Sequence, residues 1–292
     1  MSTQITTAFV QQFSSNVQLL SQQMGSLLRG TVSEESVTGE KAFFDQVGQS
    51  AAVKRTSRHS DTPILDTPHS RRMVTMDSYE WADLIDDADK VRLLIDPTSA
   101  YARTAAAAIG RAMDDSIIAA ATGTAKTGKS GSTSTTLPSA QQIAAGGTDL
   151  TIEKLIEVKQ KLDVNSVDPS IARYIAVSPF QIQRLLNETA VTSSDFNTVK
   201  ALVRGEVDTF MGFKFIVSNR LSKTGDERTC FAWAEDGLKL AVGKDVMARI
   251  EERADKSFST QVYYCATFGA TRMEEDKVVQ IACNEAEIYS FG

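Results

Sequence analysis

Gly123, Gly128, Lys129 and Ser130 stand at the spacing G-x-x-x-x-G-K-[ST]. In a phosphate-binding loop that spacing wraps backbone N–H groups around a nucleotide's phosphates. Lys129 would then reach the β- and γ-phosphates and Ser130 would hold Mg²⁺, which is the chemistry of a P-loop nucleotide hydrolase. Such a loop works between a buried strand and a helix whose N-terminus faces the anion. The surrounding residues supply neither. Upstream lies an Ala-rich helical stretch carrying Arg111, Asp114 and Asp115, and downstream the run GSTSTTLPS opens no helix. A Gly/Ser/Thr/Lys tract meets the pattern easily, so residues 123–149 read as a flexible surface connection, with 123–136 exposed and mobile.

The other chemistry-bearing residues are sparse. The chain has 292 residues with only two histidines, His59 and His69, both in a polar extended stretch. Its three cysteines, Cys230, Cys265 and Cys283, are too scattered for a disulfide framework and not at metal-ligand spacing. Asp86, Asp87 and Asp89 could approach a hard cation but lack a calcium-loop pattern, and a solvated helix face is the plainer explanation. Asp114 and Asp115 read as a helix-face pair meeting a basic neighbour, and Glu274, Glu275 and Asp276 as a charged turn. No catalytic, cofactor-binding or metal-binding residues are therefore assigned, and no cofactor is expected.

Composition narrows the function classes further. Hydrophobic residues make up 42% and charged residues 23%, close to a globular average. Lys and Arg number 31 against 37 Asp and Glu, a net charge of −6, whereas gripping nucleic acid as a main task usually brings a basic excess. No apolar stretch reaches the ~18 residues of a membrane span. The opening MSTQITT has neither the basic nor the apolar region of a secretory signal, so a reducing compartment is expected.

Several elements can be read from periodicity. Val10, Phe13, Val17, Leu20, Met24 and Leu27 form one stripe, predicting an amphipathic helix over 8–29. Residues 97–122 predict the strongest helix: Pro97 suits its first turn, alanines dominate and Gly123 ends it, for a length of about 39 Å at 1.5 Å per residue. Residues 151–163 predict a helix with Ile152, Leu155, Ile156 and Leu162 inward. Ser178 and Pro179 open another after a strand at 171–177. A hairpin is predicted over 205–217 with its turn at Met211 and Gly212, and strands at 229–234, 238–242, 246–251, 259–270 and 277–283.

Residues 50–76 are of a different kind. The stretch is rich in Thr, Ser and Pro and carries Lys54, Arg55, Arg58, Arg71 and Arg72, with hardly any apolar residue to bury. Proline fixes φ and removes a donor, which favours an extended hairpin with a loose tip, ordered only on a partner surface. Residues 77–95 turn acidic at once, with Asp77, Glu80, Asp83, Asp86, Asp87 and Asp89. The juxtaposition predicts that the arginines pair with such carboxylates on neighbouring copies. The apolar stripe at Phe13, Val17 and Leu20 is likewise expected to bury against another subunit.

The order of parts resembles the major capsid proteins of tailed bacteriophages, with the Hong-Kong-97-type fold. FVQQFSSNVQLLSQQMGSLLRGTV is similar to an N-terminal arm. RTSRHSDTPILDTPHSRRMVTM and the residues after it, down to SIIAAA, resemble an extended loop running into a spine helix. YIAVSPFQIQRLL and MGFKFIVSNRL resemble pieces of an axial domain. The resemblance implies an α+β fold. It assigns 1–50 to the arm, 51–78 to the extended loop, 79–150 to a peripheral domain with the spine helix at 97–122, 151–265 to the axial domain and 266–292 to a return into the peripheral domain. It implies a non-enzymatic virion protein that self-assembles, as pentamers and hexamers, into the icosahedral head shell around double-stranded DNA, which it contacts weakly from inside. Assembly would take place in the host cytoplasm, with scaffolding, portal and cement proteins as further partners. Lys54 and Asn284 match no cross-linking motif, so no covalent cross-link is expected. The two competing classes are the P-loop hydrolase, which requires nucleotide binding dependent on Lys129, and a small-molecule-binding module, which requires a stable monomer.

Overall fold

A computed structural model describes residues 21–59, 61–62, 64–85, 98–187 and 209–286. In chain order its strands and helices begin with β1 (Ser33–Ser36), β2 (Lys41–Val47), β3 (His69–Thr75), β4 (Asp77–Ile85), α1 (Thr98–Thr122), β5 (Ala125–Thr127), β6 (Thr133–Thr135) and β7 (Gln142–Ile143). They continue with α2 (Ile152–Val164), β8 (Arg173–Val177), α3 (Pro179–Asn187), β9 (Thr209–Phe210), β10 (Phe213–Val217), β11 (Lys223–Thr224), β12 (Glu227–Ala234), β13 (Leu238–Arg253), β14 (Ser259–Arg272) and β15 (Val278–Asn284). The chain divides into two compact units, and α1, β13 and β14 each run through both.

The larger unit holds residues 27–77, 114–243 and 268–286. Its main sheet runs β7-β15-β12-β8-β10-β9, with β11 added beside β12. β8 pairs parallel with β10 and antiparallel with β12, and β12 pairs antiparallel with β15. Every residue of β8 is buried, as are the last five of β12, which suits strands covered on both faces. Trp233 stacks on Tyr174 with centroids 5.7 Å apart and meets Phe231 at 4.9 Å. The turn at Met211 and Gly212 lies where the sequence puts it, with both residues at positive φ.

A second sheet runs β2-β3-β5-β6. β2 alternates exposed and buried, so Ala42 and Phe44 face inward and pack with Val74, Met76, Ala241 and Met273. β1 joins β13 in parallel, from Ser33↔Lys239 to Ser36↔Val242.

In the smaller unit, residues 21–26, 78–85, 98–113 and 244–267, β4 lies beside β14 and β14 beside β13. Tyr263 has its phenol pushed up to about 12 by hydrogen bonding to Glu80 and then Cys265 and by burial.

Four local expectations need correction. Residues 21–28 are not helical: Gly25 takes φ +80°, and only a 3₁₀ turn at Arg29–Thr31 follows, while residues 8–20 lie outside the described residues. α2 buries Lys154, Leu155, Val158 and Leu162 while Ile156 is 52% exposed. The helix is turned because the Lys154 ammonium is drawn inward by the carbonyls of Ala145, Thr148 and Ala282, at 2.9, 2.9 and 3.0 Å. The separate strands expected at 238–242 and 246–251 are one strand, β13. Residues 123–136 are not a loose connection, because β5 and β6 form a hairpin that pairs with β3 through Arg72↔Thr127 and Met73↔Lys126.

Candidate assembly surface

The basic segment is mounted on an ordered hairpin that begins earlier in the chain than the polar stretch itself. β2 and β3 pair over seven residues, from Lys41↔Thr75 to Val47↔His69, and the Gly48 N–H continues the ladder to the Pro68 carbonyl at 2.8 Å. Beyond that point the described residues of 48–68 form no helix or strand and are almost all exposed, Ile64 to 98%. Arg55 and Arg58 lie on this loop, both exposed, and Arg55 donates to the nearby Ser57 carbonyl at 2.8 Å.

Arg71 and Arg72 occupy the base of the hairpin, on opposite faces of β3. Arg71 sits opposite Asp45 in the register and forks onto its carboxylate at 2.5 and 3.1 Å, holding that carboxyl below its ordinary range. Its guanidinium also lies over the Phe43 ring, 5.6 Å from the centroid. Arg72 is buried. It donates through Nε to the Met273 carbonyl at 2.8 Å and through Nη2 to Glu275 at 2.5 Å. Glu275 also faces Arg272, which is fully buried and donates to the carbonyls of Ala121, Gly123 and Thr135. Both arginines of the expected inter-subunit set at this base thus have partners within the chain. Asp83 is exposed near the end of β4 and accepts the Leu84 N–H. Phe13, Val17, Leu20, Asp86, Asp87 and Asp89 lie outside the described residues.

The foot of the N-terminal segment is fastened by a residue assigned a different partner. Asp114, buried in α1, accepts the N–H groups of Leu27 and Leu28, both at 3.1 Å. Its neighbour Asp115 meets the expected base, Arg220, with Nε to Oδ1 at 2.6 Å. The buried row Ala105, Ile109, Met113, Ile117 and Ala121 repeats every four residues, and Asp114 is the acid beside it. A carboxylate next to an apolar helix row was the available signal. Glu285 was not legible. Burial pushes it up, but hydrogen bonds from Arg228, Lys223 and Gln181 outweigh that and hold it at about 2. Gln181 also donates to Asp149, whose carboxyl is raised chiefly by burial.

The phosphate-loop geometry is absent. Gly123 ends α1 and not a strand, Gly128 and Gly131 take positive φ in the β5–β6 turn, and β6 follows where a helix would be needed. Lys129 is exposed, and Ser130 donates its hydroxyl to Ser132. The three cysteines are free and buried. Cys230 is raised well above a thiol's ordinary range by hydrogen bonding to Cys283 and by burial.

A family model described as phage capsid protein matches residues 5–285. Comparison with curated proteins finds no match. Among solved structures, the capsid of cyanophage P-SCSP1u superposes with a TM-score of 0.75 at 19% identity, covering 96% of this chain and 94% of that one. The capsid of Ralstonia phage GP4 gives 0.73 at 11% identity, covering 97% of each chain. The cyanophage Pam1 capsid gives 0.70 at 13% identity, covering 97% of this chain and 98% of that one. At these identities the likeness is one of fold.

Proposed function

The chain belongs to the phage capsid protein family and is a structural major capsid protein of the virion, and from that premise we propose how its parts build the shell. The subunit follows the Hong-Kong-97-type plan. Residues 1–50 form an arm, 51–78 an extended loop, 79–150 a peripheral domain with α1 as spine, 151–265 an axial domain, and 266–292 return to the periphery. Copies join as pentamers and hexamers in an icosahedral shell around double-stranded DNA, which they contact weakly. The subunit carries out no catalysis. Assembly takes place in the host cytoplasm, with scaffolding, portal and cement proteins as further partners.

The observation that carries this reading is the loop at 48–68. A hairpin ordered at its base presents a long, mostly polar loop whose described residues are almost all exposed and without secondary structure. At ~3.3 Å per residue the loop reaches about 30 Å beyond Val47 and His69. Residues with so little to bury order only on another surface. Arg55 and Arg58 then pair with carboxylates of a neighbour, among them Asp83, Asp86, Asp87 and Asp89. Arg71 and Arg72 stiffen the base and add to that contact only from their intrachain pairs. The stripe at Phe13, Val17 and Leu20 lies on an adjoining subunit.

Electron microscopy and size-exclusion chromatography of the purified protein test the reading. Shells or capsomer rings are expected, and replacing residues 49–67 by a short Gly-Ser turn should abolish them while leaving the subunit folded. A stable ~32 kDa monomer at high concentration, or normal shells from the loopless chain, would overturn it.

A further inference from the structure

The Gly-Lys-Ser turn, left without a nucleotide to bind, closes one side of a cleft of about 450 Å³. Asp45, His69, Ser70, Arg71, Thr127, Gly128 and Lys129 line it. Two features make the cleft a fixed shape. The turn is tied to β3, since the Gly128 N–H and the Thr127 hydroxyl both donate to the Arg71 carbonyl, at 3.2 and 2.9 Å. Gly131 sits so close over Met73 that a Cβ there would lie 2.2 Å from Sδ. Lys129 is therefore presented from a pinned turn.

The charges in the cleft do not balance. Its one carboxylate, Asp45, is already held by the Arg71 fork, and Lys129 makes no ion pair among the described residues. Beside the cleft, the outward face of β2 carries Phe43, 41% exposed, and Val47, 67% exposed.

We propose that this cleft takes a carboxylate side chain from a second copy of the chain, paired with Lys129 beside the Arg71–Asp45 fork, with the adjoining apolar residues of that copy on Phe43 and Val47. This rests on the shell-forming reading above. A duplex phosphate backbone is the poorer occupant, because it is met by a spread of free cations, whereas here Arg71 is already held by Asp45 and Lys129 stands beside the exposed Phe43 and Val47. A second copy offers an excess of carboxylates, 37 Asp and Glu against 31 Lys and Arg. Like-charged subunits that must lie edge to edge gain from a cationic cleft at the contact.

Carbodiimide treatment of shells assembled from mixed ¹⁴N- and ¹⁵N-labelled subunits tests this directly, since it joins only amines and carboxylates already in contact. A mixed-label isopeptide between Lys129 and an Asp or Glu is expected in shells and not in dissociated subunits. Lys129→Glu should raise the concentration needed for assembly at least tenfold at low salt, with the gap narrowing at high salt and the subunit's melting unchanged. Lys126→Glu, on the same hairpin but bonded to Ser134, should change assembly little. Cross-links from Lys129 to Asp45 of its own chain alone, equal effects of the two substitutions, or lost DNA retention with normal assembly would each overturn the proposal. If the wild-type chain forms no capsomers, the shell-forming reading falls with it. If it assembles and Lys129→Glu assembles equally well, only the cleft proposal falls.

Discussion

Arg72 and Glu275 form an ion pair at 2.5 Å, 203 residues apart in sequence, with both side chains largely withdrawn from water. The pair fixes the base of the β2–β3 hairpin to the turn between β14 and β15. Arg272 shares the same carboxylate, with its Nε 3.5 Å from Oε1. Removing the carboxylate would leave two buried guanidinium groups without their counter-charge. Glu275→Ala is expected to cost about 3–5 kcal/mol, the usual penalty for breaking a buried pair from one side. Urea unfolding of the dissociated subunit measures it, and a loss below 1 kcal/mol would contradict the account.

Asp114 makes a second prediction. Its two oxygens receive the amides of Leu27 and Leu28, and the side chain is fully buried. Asp114→Ala should destabilise the subunit by about 1–3 kcal/mol, because two donors lose a charged acceptor. Hydrogen exchange should show the Leu27 and Leu28 amides losing protection while the amides of α1 keep theirs. Unchanged protection at both would refute the assignment.

Within the smaller unit, Gly110 lies so close to the chain at Gly25 that an added Cβ would stand 2.5 Å from the Gly25 carbonyl carbon. Alanine is favoured over glycine in a helix by about 1 kcal/mol, so propensity alone predicts stabilisation. The close approach should reverse the sign, with Gly110→Ala losing about 1–3 kcal/mol. Gly30→Ala, which meets nothing within 4 Å, serves as the comparison in the same melting experiment. A more stable Gly110→Ala protein would show that the approach is not tight.

Acid should weaken the larger unit through Glu285. Its carboxyl is held at about 2, below the ordinary 4.5. The unfolded chain therefore takes up that proton first as pH falls. The stabilisation is complete above 4.5 and is lost on the way down toward 2, a change on the order of 3 kcal/mol. Asp149, raised mainly by burial, acts in the opposite sense, since its protonation favours the folded state. Glu285→Gln should flatten the acid side of the stability profile, and Asp149→Asn should steepen the loss. Parallel profiles for wild type and Glu285→Gln would overturn the linkage.

Elements whose cause is local were legible. α1 runs over Thr98–Thr122 where Pro97, the alanines and Gly123 bracket 97–122, and β8 and β12 follow from unbroken apolar runs. What escaped was set by distant partners. The tract at 123–136 has Ala125 as its one apolar side chain, so nothing in it announces a hairpin. Its order comes from pairing with β3, more than fifty residues earlier. Ile156 fits the helical period of its own segment, and it faces outward because Lys154 is drawn inward by carbonyls from three other places in the chain. Glu275 reads as one more acid in a charged turn until Arg72 and Arg272 arrive from elsewhere. The capsid character was legible from the order of the parts, whereas the partner of Arg71 needed the register of β2 against β3 and those of Arg72 needed the turn between β14 and β15.

The two-pair register between β3 and β5 has a mechanical consequence. Tension on the loop at 48–68 pulls β2 and β3 in the same direction, so their seven-residue ladder moves as one piece and is not unzipped. The strain passes to the short seam Arg72↔Thr127 and Met73↔Lys126, to the grip of Arg72 and Gln46 on the Met273 carbonyl and to the Arg72–Glu275 pair. These few bonds lie side by side and must break together. Under force from outside or within, the subunit should hold to a sharp threshold and then release the whole hairpin at once.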